Sequence, residues 1–162
     1  MISIACIQEA HNERNGNQTY GEYTIFLSAA WEAVKNQNNN HTQWVNSWRG
    51  GVAILIKNDY IENIKQINRI SGRIMEIRLK TGHQLNDISI ICSYAPYMGY
   101  GEIERNKYRN GLNNHMDPIP NNYIKIWMTD NNGQISQEEN TKDIIGKWNI
   151  GNKTEVGNGE NI

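Results

Sequence analysis

Three short apolar runs in this 162-residue chain end on side chains that can do chemistry. Residues 2–7 run into Gln8 and Glu9, residues 88–93 into Tyr94 ahead of Ala95 and Pro96, and residues 124–128, by way of Thr129, into Asp130, Asn131 and Asn132. A β-forming run that stops in Asp and Asn reads as a strand delivering a polar tip, because those residue types leave strands and favour turns. If the three tips share one rim, they supply much of what cleavage of a phosphate ester requires: charge neutralisation, an activated and aligned water, and help for the leaving oxygen. A Mg²⁺ (or Mn²⁺) ion on one or two carboxylates, keeping several of its own waters, covers the first and last of these. Glu9 suits the ligand role, since a carboxylate closing an apolar strand is costly unless something pairs with it. Asp130 suits water activation or metal contact, Asn132 can donate to a phosphoryl oxygen, and the Tyr94 hydroxyl can reach the same anion. Taken singly, a strand-end carboxylate is more often a turn or capping residue.

The elements that must position these tips are bounded by composition. The length suits one domain, or part of one. Hydrophobic residues are 38% of the chain and mean hydropathy is -0.72, with much of the polar excess in asparagine-rich stretches. No apolar run approaches the roughly 20 residues of a membrane helix, and no basic segment precedes residues 2–7, so a nuclear or cytoplasmic, non-secreted protein without a membrane partner is expected. A net charge of -1 and a pI near 6.4 make no global demand for nucleic acid, so recognition of a phosphodiester would have to be local. Nothing points to an obligate protein partner. Cys6 and Cys92 each lie inside an apolar run and read as buried reduced thiols rather than a disulfide or metal pair.

Residues 1–7 read as a strand buried on both faces, hence central in a sheet. Residues 10–22 read as a glycine-punctuated loop and 23–27 as a second strand. Residues 28–50, with Asn36, Asn38, Asn39 and Asn40 clustered, are expected to be a disordered loop; Trp44 and Trp48 in it could pack on the sheet or stack on nucleobases. Residues 52–57 form the clearest strand, turning at Asn58-Asp59, and residues 60–70 and 73–80 alternate as an antiparallel meander. Lys57, Lys65, Arg69, Arg73, Arg78 and Lys80 fall along it, as a solvated edge or a phosphate-facing stripe. After the buried strand 88–94, Pro96 stops the ladder. Residues 101–114 are the best helix candidate, with Ile103, Tyr108 and Leu112 near one face. Beyond Asn132 the chain turns glycine-rich and offers little core.

Gln8-Glu9 closing one apolar strand, Tyr94-Ala95-Pro96 closing another, and Trp127 leading to Asp130 and Asn132 resemble the endonuclease/exonuclease/phosphatase superfamily, the group with the DNase-I-like fold. The nearer likeness is to endonuclease domains of non-LTR retrotransposons and to craniofacial development protein 2-like sequences. Residues 51–59 and 146–159 also resemble their counterparts there. The likeness implies an α/β fold, a two-sheet β-sandwich flanked by helices, with a divalent-metal phosphodiesterase site at one end. By resemblance Glu9 binds Mg²⁺, Tyr94 and Asn132 contact the scissile phosphate, and Asp130 orients or deprotonates the attacking water, with DNA as the ancestral substrate. His11, two positions after the metal glutamate, receives no catalytic role.

The pattern also departs from the family. Where its third motif reads G-D-F-N, this chain has Thr129-Asp130-Asn131-Asn132, and Thr cannot take a positive φ cheaply. The family's first strand would lie before Met1 and its closing Ser-Asp-His strands after Ile162. Residues 1–135 are thus expected to match the central part of the domain, and residues 136–162 to be a polar tail leading to missing strands. The expected activity is Mg²⁺-dependent phosphodiester hydrolysis, weak or lost because the family's histidine stabilises the transferring phosphate. A non-catalytic fragment of a degraded mobile element and a lipid or inositol phosphate phosphatase of the same fold are the alternatives.

Overall fold

Alternation of apolar side chains along Val52, Ile54 and Ile56 builds the strand β6 (Val52–Lys57), which lies inside a four-stranded sheet of order β1-β6-β3-β2. The computed structural model describes residues 2–35, 42–46, 50–82 and 86–133, with 31–35 and 42–46 as backbone. In that first sheet β1 (Ile4–Ile7) and β3 (Tyr23–Ser28) flank β6 antiparallel, and β2 (Gly16–Tyr20) pairs with β3. The second sheet has the order β10-β9-β8-β7, from β7 (Ile64–Ser71), β8 (Ile74–Leu79), β9 (Ile88–Tyr94) and β10 (Ile124–Asp130). A 3-10 helix over Asn58–Asn63 carries the chain from one sheet to the other.

The two sheets share one core. Phe26, Val52, Ile54 and Ile56 from the first face Met75, Ile77, Leu79, Ile90 and Cys92 from the second. Each such side chain contributes about 1.5–3 kcal/mol when fully removed from water, so this interface is the main source of cohesion. The outer face of the second sheet is covered by α1 (Glu102–Met116), whose Leu112 packs with Ile74, Ile91 and Ile119. Glu102 and Glu104 in its first turn favour the helix dipole, and Pro118 bars continuation beyond its end. The protein is therefore mainly β, two four-stranded sheets face to face with a helix outside. Among the described residues no helix is long and apolar enough to cross a membrane.

Several expectations are corrected. Residues 1–7 do not sit centrally: β1 is an edge strand, half-buried, with Ile7 37% exposed, because β6 takes β3 as its other neighbour. The loop expected over 10–22 contains β2, an exposed polar strand held by backbone pairing rather than apolar burial. Within 28–50, expected to be disordered, β4 (Trp31–Lys35) and β5 (Thr42–Asn46) form an antiparallel pair of their own. The asparagine cluster at 36–40, the Trp48 side chain, the Trp44 side chain and the polar tail 136–162 lie outside the described residues and side chains.

The meander is present, but β8 is not wet on one face. Ile74 and Glu76 on its helix side are as buried as Met75 and Ile77 on the other. Four of the six basic residues are tied to partners within the protein. Lys57 pairs with Asp59 at 2.5 Å, Lys65 with Asp87 at 2.5 Å, and Arg78 with Glu76 at 2.7 Å. Arg69 donates Nε to Leu27 O at 2.7 Å and Nη2 to Gly16 O at 3.0 Å, tying the two sheets together. In α1, Ile103 is 83% exposed and takes no part in the apolar face formed by Tyr108 and Leu112. Both cysteines are free thiols, Cys92 buried and Cys6 half-buried.

Candidate active site

Strand β10 runs parallel to β9 after the α1 crossover, with Tyr94 in register with Asp130. Parallel neighbours end on the same side, so the residues that close both strands emerge on one rim, the place where such sheets commonly bind ligands. The pairing continues one step beyond, Ala95 N–H donating to Asp130 O at 2.8 Å. Asn132 then folds back over this end, its Nδ2 donating to Ala95 O at 2.7 Å and its backbone N–H to Asp130 Oδ1 at 2.9 Å.

Glu9 reaches the same rim from the other sheet. The Tyr94 hydroxyl donates to Glu9 Oε1 across 85 positions of sequence, and Gln8 Nε2 donates to Met128 O at 3.5 Å. Two backbone bonds hold the strap after Glu9, Ala10 N–H to Gly51 O at 2.9 Å and His11 N–H to Gly50 O at 3.0 Å. Gly51 is required there: its φ is 88°, and a Cβ would fall 2.4 Å from Asn12 Oδ1. Among the described residues the non-glycine positions with positive φ are Glu9 at 50°, His11 at 46° and Asn132 at 48°. All three lie at this rim or on its strap. Backbone in that region costs of order 1–3 kcal/mol and persists where surrounding contacts over-determine it, often at functional sites.

The site's charge is set by Glu9, Asp130 and Arg73. The Arg73 guanidinium lies 5.2 Å from the Tyr94 ring and 4.9 Å from that of Tyr100, within cation–π range. The Tyr94 hydroxyl is pushed above its usual pKa, first by burial and then by its bond to the Glu9 carboxylate, while the Asn132 amide works the other way. Tyr94 is therefore a neutral donor at physiological pH.

Behind the rim a hydroxyl cluster fixes the tip of β10. Ser93 Oγ accepts from Trp127 Nε1 at 2.7 Å and Tyr108 Oη at 3.0 Å, and donates to Thr129 Oγ1 at 2.8 Å. Thr129 in turn donates to Asn131 Oδ1 at 2.8 Å. The threonine therefore sits without backbone strain at the position where a glycine would have been the freer choice. Thr129 lies inside β10 with no positive φ, and the positive φ falls on Asn132, a residue type that tolerates it.

The structure joins Tyr94 to Glu9 and Asn132 to Asp130 and the Ala95 carbonyl by hydrogen bonds, with Tyr94 and Asp130 in register on neighbouring strands. His11 is exposed on the strap. Sequence reasoning assigns Ser93 and Gly51 no role at the site, and Arg73 only a place among six basic residues read as a solvated edge or a phosphate-facing stripe. Nothing local distinguishes an arginine stacked on a tyrosine from a solvated one, whereas Gly50-Gly51 carries a visible turn signal.

Among the described residues no group of three or more His, Cys, Asp or Glu side chains is placed to share a metal ion. The carboxylates of the rim are Glu9 and Asp130, and a Mg²⁺ or Mn²⁺ ion can be held by as few as one or two carboxylates while keeping most of its waters. These two carboxylates do not fit Zn²⁺, which takes three or four His, Cys or carboxylate ligands.

A second polar cluster lies on the helix side of β8. Glu76, 0% exposed, receives Arg78 Nε at 2.7 Å and Ser89 Oγ at 2.5 Å on Oε1, and Asn68 Nδ2 at 2.6 Å and His115 Nε2 at 2.9 Å on Oε2. An open cavity of about 490 Å³ beside it is lined by Asn68, Arg78, Asn114, His115 and Pro118, among others. Comparison with known proteins adds no relative: no family model matches the chain, and no curated protein is significantly similar to it.

Proposed function

We propose that the rim formed by Glu9, Tyr94, Asp130 and Asn132 is the centre of a Mg²⁺- or Mn²⁺-dependent phosphodiesterase of the endonuclease/exonuclease/phosphatase type, with DNA as substrate. The observation that carries this reading is the contact between the Tyr94 hydroxyl and the Glu9 carboxylate, with the Asn132 amide beside them. Three segments far apart in sequence supply these groups, and their meeting at one rim is what the motif resemblance requires.

Glu9 would hold the metal ion, which when bound supplies positive charge against the phosphoryl oxygens. The Tyr94 hydroxyl, kept protonated by burial, would turn its single proton from Glu9 to a phosphoryl oxygen when substrate enters, and Asn132 Nδ2 presents a second donor within the same small region. Asp130, exposed at the end of β10, accepts the proton of the attacking water. Its Oδ1 is oriented by the Asn132 N–H, so the base and one phosphate donor are positioned by the same turn. With few protein carboxylates available, Glu9 and Asp130 would hold the ion loosely, and slow turnover is expected.

Nicking of plain and abasic duplex DNA in Mg²⁺ or Mn²⁺ tests this. Slow cleavage that chelation stops, and that Asp130→Ala and Glu9→Gln each reduce at least roughly 100-fold, is expected. Cleavage indifferent to Asp130→Ala would sink the assignment. Metal-dependent binding without any cleavage would leave a non-catalytic phosphate-binding module instead.

A further inference from the structure

Three residues beyond Tyr94 the chain turns through Tyr97, Met98, Gly99 and Tyr100 before entering α1. Tyr97 is 39% exposed and Met98 49% exposed, so the loop carries apolar surface into solvent in direct continuation of the rim. The loop is nevertheless tightly held. Tyr100 N–H donates to Tyr97 O at 3.0 Å, and Arg105 from the first turn of α1 donates Nη1 to Met98 O at 3.1 Å and Tyr100 O at 2.5 Å.

The Tyr97 ring is set on this scaffold. A Cβ at Gly99 would fall 2.3 Å from Tyr97 Cε2, so only glycine lets the ring lie against the loop backbone. Its other neighbour is Tyr100, whose ring meets it edge to face with centroids 4.7 Å apart and an interplanar angle of 76°. Tyr100 in turn stacks on the Arg73 guanidinium that also faces Tyr94. Arg73 is therefore common to the rim and the loop and fixes one relative to the other.

An ordered aromatic ring kept partly in water, beside a positive charge and next to phosphate donors, has the features of a stacking platform. Every nucleobase offers a π-face to such a ring, whereas a base inside a duplex has both faces occupied. We infer that Tyr97, with Met98 at its side, seats an unpaired nucleobase of the substrate strand adjacent to the phosphate held at Tyr94 and Asn132. The preferred substrate is thus a single-stranded or locally unpaired segment. This rests on the phosphodiesterase reading for the position of the phosphate. With a net charge of -1, and with Lys57, Lys65 and Arg78 taken up in ion pairs, a short local contact of this kind would carry much of the substrate affinity.

The test measures fluorescence anisotropy of a labelled single-stranded oligodeoxynucleotide, and of its counterpart with baseless sugars, on the full chain in Mg²⁺. Tyr97→Ala is expected to weaken binding of the base-bearing strand roughly 5- to 100-fold, with Tyr97→Phe staying within about threefold of the original, and to leave the baseless strand unaffected. Equal weakening of both strands by Tyr97→Ala would mean that the ring merely holds the loop, and would overturn the inference. If Tyr97→Ala changes neither strand while Tyr94→Phe weakens both, the inference fails and the phosphodiesterase reading stands. If the unaltered chain binds neither strand, both fall.

Discussion

Two carboxylates in this molecule stand in opposite circumstances, and the contrast separates a structural charge from an available one. Glu76 sits in the middle of β8, wholly buried, and accepts from Asn68, Arg78, Ser89 and His115. Glu9 sits past the end of β1, exposed, on a backbone with positive φ, and accepts from the Tyr94 hydroxyl. Burial opposes the charge on Glu76, but hydrogen bonds from His115, Arg78, Ser89 and Asn68 outweigh it and hold its pKa at about 2. A charge satisfied so fully has little left to offer a ligand. Glu9, by contrast, faces water and accepts from a single neutral hydroxyl, as the proposed cation site requires.

Removing Glu76 should therefore have the largest effect on the fold. Glu76→Ala leaves the Arg78 charge and several donors without their acceptor, and should cost about 3–5 kcal/mol in urea unfolding. A loss below about 1 kcal/mol would break the distinction between the two carboxylates.

Acid tests the same charge. Glu76 titrates near 2 in the folded chain against a reference value of 4.5, so between those values the unfolded state binds the proton and the folded state does not. Stability from this group is thus complete above about pH 4.5 and is lost as pH falls toward 2, by about 3 kcal/mol in all. Urea midpoints measured across this window should fall steeply for the natural chain and less for Glu76→Gln; parallel slopes would assign the acid sensitivity elsewhere.

At the rim, effects on stability shrink and effects on ligands grow. Gly51→Ala meets both a positive φ and the 2.4 Å approach to Asn12 Oδ1, and should cost about 1–3 kcal/mol by thermal or urea unfolding. Because that strap carries Glu9, Mn²⁺ binding followed by water-proton relaxation should weaken with it. Tyr94→Phe should cost the least, about 1 kcal/mol or less, since Glu9 can exchange the lost donor for water. Binding of the baseless oligonucleotide to Tyr94→Phe should nonetheless fall about tenfold, and unchanged binding would remove Tyr94 from the proposed phosphate site.

Strands with a strong apolar signal are legible in the sequence: residues 52–57, 88–94 and 124–128 form β6, β9 and the body of β10. Their register is not legible. Periodicity marks which side chains leave the water, but the parallel alignment that sets Tyr94 beside Asp130 depends on α1 crossing the sheet. Polar strands such as β2 escape notice because backbone pairing leaves no hydrophobic pattern. Glu76 reads as a solvent-facing position of an alternating strand, since its donors lie on β7, β8, β9 and α1 and no local pattern announces that they will meet.

From the order of its residues alone, the chain determined where strands would end and which polar groups would stand at those ends. That is local physics, a matter of which residue types tolerate an extended backbone and which leave it. Only the tertiary structure decided that Glu9, Tyr94 and Asn132 meet while Arg73 turns inward, because those outcomes depend on two sheets packing on one core and on contacts between residues far apart in the chain.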